Sequence, residues 1–109
     1  MELRKVTAIV RCTALEDVER KLRGMHVSGF TSTQVKGCGE YENLYSRDPK
    51  TLHARIEVFA DEARAEEVAR AIVEAAHTGA PGDGIVAILP VESIWRVRTK
   101  RLATASELH

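Results

Sequence analysis

The chain has 109 residues, which is enough for one domain with a modest hydrophobic core. Hydrophobic residues account for 44% and charged residues for 29%, a composition that argues against a disordered chain. The 16 basic and 16 acidic residues give a formal net charge of zero, so the overall charge favours neither nucleic acid nor an anionic membrane as a partner.

The first half of the chain predicts a strand, a helix and a second strand. From Leu3 to Arg11, apolar and polar residues alternate, which is the period of a strand. Thr13 is placed to cap a helix because Glu16 follows at the spacing of a capping box, and apolar residues then recur at helical spacing up to Met25. A threonine-rich strand is predicted over Phe30–Val35.

The second half repeats this order after a long polar loop, predicted over residues 40–52. Alternation predicts a strand over His53–Phe59, and Asp61 is placed to cap a second helix with an alanine-rich apolar face. A glycine-rich turn over residues 78–84 precedes two predicted strands, Ile85–Leu89 and Val91–Val97, separated by Pro90. Residues 99–109 are polar and predict a short helix or a mobile tail.

This order of elements predicts an α+β fold, a ferredoxin-like βαββαβ sandwich with both helices on one face of an antiparallel sheet. We expect the domain to span residues 1–99, with a flexible loop at about 40–52 and a C-terminal tail over 100–109. Two helices cannot cover both faces of the sheet, and an exposed apolar face favours an oligomer. The apolar residues that need this cover are Ile9, Phe59, Ile94 and Trp95.

Apolar runs, the first residues and the cysteine spacing indicate the compartment and the state of the cysteines. No apolar run approaches the roughly 20 residues of a membrane-spanning helix, and the first residues resemble a strand and not a secretory signal. Cys12 and Cys38 lack the spacing of a metal site or of a CxxC motif. Free thiols are the favoured interpretation, with a disulfide as the alternative, and we expect a cytoplasmic protein that does not insert into membranes.

Two glycine-rich segments and one arginine pair are candidates for binding an anion. Glycine lets backbone amides converge on an anion because no Cβ blocks the approach, and such glycines occur within residues 36–39 and 78–84. Each segment also fits a plain turn, and the second lacks the Gly-Lys-Ser/Thr ending of a P-loop. Arg96 and Arg98 are predicted on one face of the last strand, where two guanidinium groups repel unless an anion or a carboxylate lies between them. A solvated edge strand is the alternative for this pair.

On this βαββαβ frame, three motifs resemble the PII signal-transduction proteins. They are Val35-Lys36-Gly37-Cys38-Gly39, Thr78-Gly79-x-x-Gly82-Asp83-Gly84 and Arg96-Val97-Arg98-Thr99. The resemblance covers nearly the whole chain up to Thr99, and the second motif is its most specific part. It implies a homotrimeric regulatory protein and not an enzyme. In such a trimer the sheets face inward around a central axis, and an adenine nucleotide binds in each cleft between subunits.

The resemblance also implies a role for individual residues, with no catalytic group, metal site or cofactor among them. Gly37, Cys38 and Gly39 would contact the phosphates at the base of the large loop, and Arg96 and Arg98 would reach the phosphates from the neighbouring subunit. Gly82, Asp83 and Gly84 would contact the ribose and the phosphates. Thr31 and Glu57 would contact the adenine.

Several residues depart from the family pattern. Ile85 and Ala80 stand where the family has lysines, and Glu40 replaces an arginine. Tyr41 replaces the glutamine that helps to hold Mg²⁺ and 2-oxoglutarate, and His53 replaces the lysine that binds 2-oxoglutarate. Fewer cations and an added carboxylate disfavour a triphosphate. We therefore expect ADP or AMP to be preferred over ATP with Mg²⁺, and no response to 2-oxoglutarate.

A chain altered in this way resembles the divergent PII-like branch linked to inorganic carbon, including carboxysome-associated and bicarbonate-transporter-associated members. This resemblance implies bicarbonate as a second ligand and a membrane transporter or a carbon-fixation component as the protein target. A conventional PII regulator of nitrogen assimilation and a small acylphosphatase-like hydrolase stay open as alternatives. An RNA-binding module is less favoured, since aromatic residues make up only 5% of the chain.

Overall fold

The computed structural model describes residues 2–27, 29–37 and 51–108. Its strands and helices are β1 (Leu3–Arg11), α1 (Leu15–Gly24), β2 (Phe30–Gly37), β3 (Thr51–Asp61), α2 (Glu62–Ala76), β4 (Gly84–Val91), β5 (Trp95–Arg96) and β6 (Arg101–Leu102). Single 3-10 turns lie at Cys12–Ala14 and Ala105–Leu108. The first six elements follow the predicted βαββαβ order. Of the predicted loop, residues 51–52 belong to β3, and residues 40–50 lie outside the described residues.

The main sheet has four antiparallel strands in the order β2-β3-β1-β4, which confirms the ferredoxin-like fold. Successive side chains of a strand point to opposite faces, and Val6, Ala8 and Val10 of β1 are buried on the face that the helices cover. The intervening residues of β1, from Lys5 to Arg11, are only partly buried and lie on the opposite face, here called the open face. The sheet therefore offers one face to the core and one to a ligand or a partner.

Both helices pack on the covered face of the sheet. Val18 and Leu22 of α1, and Val68 and Ile72 of α2, are fully buried in the same cluster as the inward residues of β1 and β3. Helix α2 begins as predicted, because Asp61 accepts a hydrogen bond of 2.9 Å from the backbone amide of Arg64.

The predicted cap of α1 is wrong. Thr13 lies inside the 3-10 turn at Cys12–Ala14, and α1 starts at Leu15 with Ala14 in the cap position and no side-chain hydrogen bond to the helix. The predicted break at Pro90 is also wrong, because β4 continues to Val91. Strand β4 lies at the edge of the sheet, where one side of the strand makes no ladder hydrogen bonds, so a proline without an amide hydrogen is tolerated.

The predicted last strand over Val91–Val97 is also wrong, since only Trp95 and Arg96 of its second half are extended. After Arg96 the chain reverses: the Lys100 amide donates to the Arg96 carbonyl over 2.9 Å, and Lys100 has a φ of 59°. The two-residue strand β6 then pairs with β5. Arg98 therefore lies in the turn over residues 97–100, and not beside Arg96 on one strand face.

The open face carries apolar side chains that the described residues leave in solvent. Phe59 of β3 is 43% exposed, and Ile85 and Leu89 of β4 are 54% and 39% exposed. Trp95, on the β5–β6 hairpin, is 62% exposed. The uncovered apolar surface expected from the sequence is thus present, and the trimer that would bury it stays a prediction.

Candidate functional site

A cavity of about 470 Å³ lies between the open face of the main sheet and the β5–β6 hairpin. Three residues predicted to touch a ligand line it together: Thr31 of β2, Glu57 of β3 and Arg96 of β5. Thr31 and Glu57 are direct cross-strand partners, so the sheet register holds their side chains next to each other on one face. The cavity also has an apolar wall, formed by Phe30, Phe59, Ile94, Trp95, Val97 and Leu108. Such a mixture of apolar walls and few polar groups is typical of a small-molecule site.

The carboxylate of Glu57 is fixed by two cations of the same sheet. The Lys5 ammonium lies 2.7 Å from Glu57 Oε2, and Arg55 Nε lies 3.4 Å from Oε1. The hydrogen bond from Lys5 lowers the pKa of Glu57 and outweighs the desolvation that raises it, and the charges of Lys5 and Arg55 lower it further. Glu57 is therefore an ionised acceptor at neutral pH, placed to receive a hydrogen bond from a donor in the cavity.

The guanidinium of Arg96 is held by the C-terminal end of the chain. Its Nε donates to Glu107 Oε2 over 3.0 Å, and its Nη2 donates to the backbone carbonyl of Glu107 over 2.5 Å. Burial acts to raise the pKa of Glu107, but hydrogen bonds from Thr104 and Arg96 outweigh it, and the pKa is lowered. The carboxylate of Glu107 is thus already paired with the arginine that was predicted to bind phosphate. Arg98 is exposed and pairs with no carboxylate of the described residues.

A second group of predicted residues forms the turn between α2 and β4, residues 78–84. Asp83 organises this turn from within: its carboxylate accepts from the Thr78 hydroxyl over 2.5 Å, from the Thr78 amide over 2.8 Å and from the Gly79 amide over 2.9 Å. These hydrogen bonds, and a weaker one from Arg11, hold the pKa of Asp83 well below its ordinary value in spite of desolvation. The carboxylate therefore stabilises the turn from within.

The glycines of the turn are required by backbone geometry. Gly79, Gly82 and Gly84 have φ values of 90°, 98° and 107°, a region that side chains disfavour. A Cβ on Gly84 would lie 1.7 Å from the carbonyl oxygen of Ile9. The turn therefore packs its backbone directly against the backbone of β1.

Two side chains that the sequence did not indicate hold this turn on the sheet. The Arg11 guanidinium donates to the carbonyl of Pro81, and its Nε lies 3.5 Å from Asp83 Oδ1. His53 is fully buried, and its Nε2 lies 3.0 Å from the carbonyl oxygen of Gly82. No local sequence pattern indicates these contacts, because the contacting residues are separated by 29 positions or more.

The predicted site residues therefore fall into two groups on one sheet. Glu57 lies in the middle of β3 and pairs with Thr31 near the start of β2, whereas the turn lies at the end of the sheet where β1 finishes and β3 begins. Gly37 belongs to the same end, since it pairs with Thr51, and the predicted residues Cys38 and Gly39 lie outside the described residues. Four residues of strand, about 13 Å, separate the middle of the sheet from this end.

The described residues lack the features of two other classes of protein, metal-binding proteins and proteins with membrane-spanning helices. Among residues 2–27, 29–37 and 51–108, no three His, Cys, Asp or Glu side chains are grouped as ligands for a metal ion. Over the same ranges, no helix combines the length and apolar character needed to span a bilayer. The fold and these two groups of residues define a ferredoxin-like domain with a ligand cavity and a glycine turn.

Comparisons with known proteins identify the family. The model of the family described as Nitrogen regulatory protein P-II matches residues 3–101. The Nitrogen regulatory protein P-II of Azospirillum brasilense is 33% identical over 104 residues, which cover 89% of this chain and 93% of that protein. The Nitrogen regulatory protein GlnK2 of Haloferax mediterranei is 38% identical over 104 residues, covering 89% of this chain and 85% of its own.

A solved structure agrees with this assignment. The crystal structure of Arabidopsis thaliana PII bound to citrate superposes with a TM-score of 0.79 at 31% identity, covering 93% of this chain and 85% of that one. The chain belongs to the P-II family of nitrogen regulatory proteins, and it is a signal-transduction regulator of that family. The resemblance found in the three motifs is thereby confirmed at the level of the family.

Proposed function

We propose that this protein is a trimeric cytoplasmic sensor that binds ADP or AMP between subunits and regulates a partner protein through its large loop. The observation that carries the proposal is the cavity shared by Thr31, Glu57 and Arg96. It combines an apolar wall for a base, an ionised acceptor for an exocyclic amine and a guanidinium for a phosphate. In the proposed trimer, the phosphate tail is held jointly by glycine amides of one subunit, from the turn over residues 78–84 and from Gly37, and by the arginines of its neighbour.

The preference for fewer phosphates is supported by the charges that remain. Ile85 directly follows the glycine turn, where the family has a lysine, and Glu40 adds a carboxylate beside Gly39 in the sequence. Each further phosphate charge would have to be desolvated without a matching cation. We therefore propose that ADP and AMP bind more tightly than ATP with Mg²⁺.

The second ligand is proposed to be bicarbonate and not 2-oxoglutarate. His53, which replaces the family's lysine for 2-oxoglutarate, is buried and directed at the Gly82 carbonyl, so it offers no exposed cation. The Arabidopsis relative is described as bound to citrate, a small carboxylate. A small inorganic anion then fits a role in inorganic carbon, with a membrane transporter or a carbon-fixation component as the target. The names of the relatives support the alternative, a role in nitrogen regulation.

Calorimetry on the purified chain tests the proposal, with ADP, AMP, ATP with Mg²⁺, 2-oxoglutarate and bicarbonate as separate titrants. The mass in solution is measured by light scattering. We expect a trimer, binding of ADP and AMP, and a loss of affinity for ADP of at least about tenfold when Arg96 and Arg98 are both replaced by alanine. Arg20→Ala, which removes an exposed arginine of α1, is the matched control. A monomer, or a double variant that binds ADP like the wild type, contradicts the proposal. Tight ATP binding enhanced by 2-oxoglutarate contradicts the preference and supports the role in nitrogen regulation.

Glu107→Gln is expected to bind ADP more tightly than the wild type, by about threefold to tenfold. The substitution keeps the size of the side chain but removes the charge that now neutralises Arg96, so less favourable energy is lost when a phosphate takes its place. Glu92→Gln, at an exposed glutamate with no ion pair to a described residue, is the control. Equal affinities of both variants for ADP would show that Glu107 does not compete with the ligand.

A further inference from the structure

Two side chains at the end of the sheet, which lie opposite each other, hold the turn between α2 and β4 by hydrogen bonds. Arg11 of β1 and His53 of β3 are direct cross-strand partners. They contact consecutive peptide units of the turn: Arg11 donates to the Pro81 carbonyl, and His53 Nε2 lies 3.0 Å from the Gly82 carbonyl oxygen. Because a carbonyl oxygen can only accept, Nε2 carries the proton in this contact. Both carbonyls are thus directed toward the sheet.

The direction of these carbonyls fixes the direction of the amides. In a planar trans peptide the C=O and the N–H point in opposite directions. With the Pro81 and Gly82 carbonyls directed at the sheet, the amides of Gly82 and Asp83 point away from Arg11 and His53. Among the described residues, neither amide has a hydrogen-bond acceptor. Successive amides that point the same way beside a glycine of positive φ form a concavity suited to an anion.

The buried position of the turn strengthens this interpretation. Gly82 is buried, and a buried amide rarely stays without an acceptor in a folded protein. Asp83 cannot serve as that acceptor, because its carboxylate is already engaged by Thr78, Gly79 and Arg11. The two amides are therefore donors to a group that the described part of the chain does not supply.

We propose that Arg11 and His53 are positioning residues, which hold the Gly82 and Asp83 amides in the orientation that binds the phosphate tail of a nucleoside diphosphate. This inference rests on the proposed function. Arg11 and His53 act on the carbonyl side of the turn, and the ligand binds on the amide side. The role needs directed N–H donors, so it depends on the shape of the Arg11 and His53 side chains and not only on charge.

One variant of Arg11 and two variants of His53 separate directed hydrogen bonding from charge and packing. Arg11→Lys keeps the charge and loses the planar fork that reaches both Pro81 and Asp83. His53→Leu replaces the imidazole by an apolar side chain of comparable size and so loses the donor, whereas His53→Gln keeps an N–H donor. Val18→Ala, a substitution at a fully buried core position of α1 far from the turn in the sequence, is the control for a general loss of stability.

The affinity for ADP is measured by calorimetry, and the amide exchange rates of Gly82 and Asp83 are measured by NMR without ligand. We expect Arg11→Lys and His53→Leu to weaken ADP binding by about tenfold and to change both exchange rates, since the carbonyls are no longer held. We expect His53→Gln to bind within about threefold of the wild type, and Val18→Ala to bind like the wild type.

The outcomes distinguish this inference from the function on which it rests. If the wild type binds ADP and both Arg11→Lys and His53→Leu bind it equally well, the positioning role is overturned and the proposed function stands. If the wild type does not bind ADP or AMP, the proposed function fails and the ligand assigned to the amides fails with it. If Val18→Ala weakens binding as much as His53→Leu, a general loss of stability replaces the positioning role.

Discussion

Gly84→Ala is expected to lose about 3 kcal/mol or more of its unfolding free energy, or to fail to fold. The new Cβ would lie 1.7 Å from the Ile9 carbonyl oxygen, 2.8 Å from the Ile9 carbonyl carbon and 3.3 Å from the Val10 Cα. All three atoms belong to the backbone of β1, which is paired on both sides and cannot move aside. The φ of 107° adds strain of its own, because an alanine rarely adopts it. Urea unfolding followed by circular dichroism measures the loss.

Gly24→Ala is the matched control for this substitution. A Cβ at Gly24 meets nothing within 4 Å, and the residue ends a helix in an ordinary conformation. Replacing a helical glycine by alanine is expected to be neutral or to stabilise the protein by up to about 1 kcal/mol. The account of the turn would be wrong if the two variants unfolded at the same urea concentration.

Asp83→Asn is expected to destabilise the protein by about 1–2 kcal/mol at neutral pH and to weaken ADP binding by about tenfold. Both carboxylate oxygens of Asp83 accept hydrogen bonds, from Thr78 and Gly79 on one side and from Thr78 and Arg11 on the other. An asparagine replaces one oxygen by an NH₂ group, which faces donors whichever way the amide is turned. The turn then loses the group that shapes it, and urea unfolding together with calorimetry measures both effects.

The Asp83 carboxylate gives the wild type a pH dependence of stability that Asp83→Asn lacks. Hydrogen bonds lower the pKa of Asp83 in the folded protein, so its contribution to stability is fully present above the ordinary aspartate pKa of about 4 and is lost as the pH falls below it. The thermal midpoint of the wild type should therefore fall more steeply than that of Asp83→Asn below about pH 4. Glu57 and Glu107, whose pKa values are also lowered, act equally in both proteins. Parallel curves would contradict the role given to Asp83.

The main sheet and the helices could be predicted because their signals are local. The alternation in β1 and the capping position of Asp61 each lie within a few residues, and the structure confirms both. The errors at Thr13 and Pro90 have a different origin. A capping residue competes with the 3-10 turn that precedes the helix, and a proline is tolerated in β4 only because that strand lies at an edge. The position of a strand in a sheet is a property of the whole fold, which the local pattern does not contain.

Residues of the candidate site could be predicted from the sequence, but their hydrogen-bond partners could not. The family resemblance indicated Thr31, Glu57 and Arg96, and the structure places these three around one cavity. The Glu107 partner of Arg96 was missed, because a single glutamate in a polar C-terminal segment has no distinguishing pattern. Arg11 was missed for the same reason, although it ends a strand that was predicted correctly. Only the assembled sheet brings such distant residues together.

Under the proposed function, the bond between Arg96 and Glu107 affects the range of ligand concentrations to which this protein responds. Because both groups belong to one chain, the effective concentration of the carboxylate at the guanidinium is set by the short covalent path between them and does not change on dilution. An anion that binds Arg96 must displace the Glu107 carboxylate, which is covalently tethered beside it. The response threshold would thereby depend on Glu107, which lines the cavity and belongs to the same chain as Arg96, so a change at this one residue would shift it.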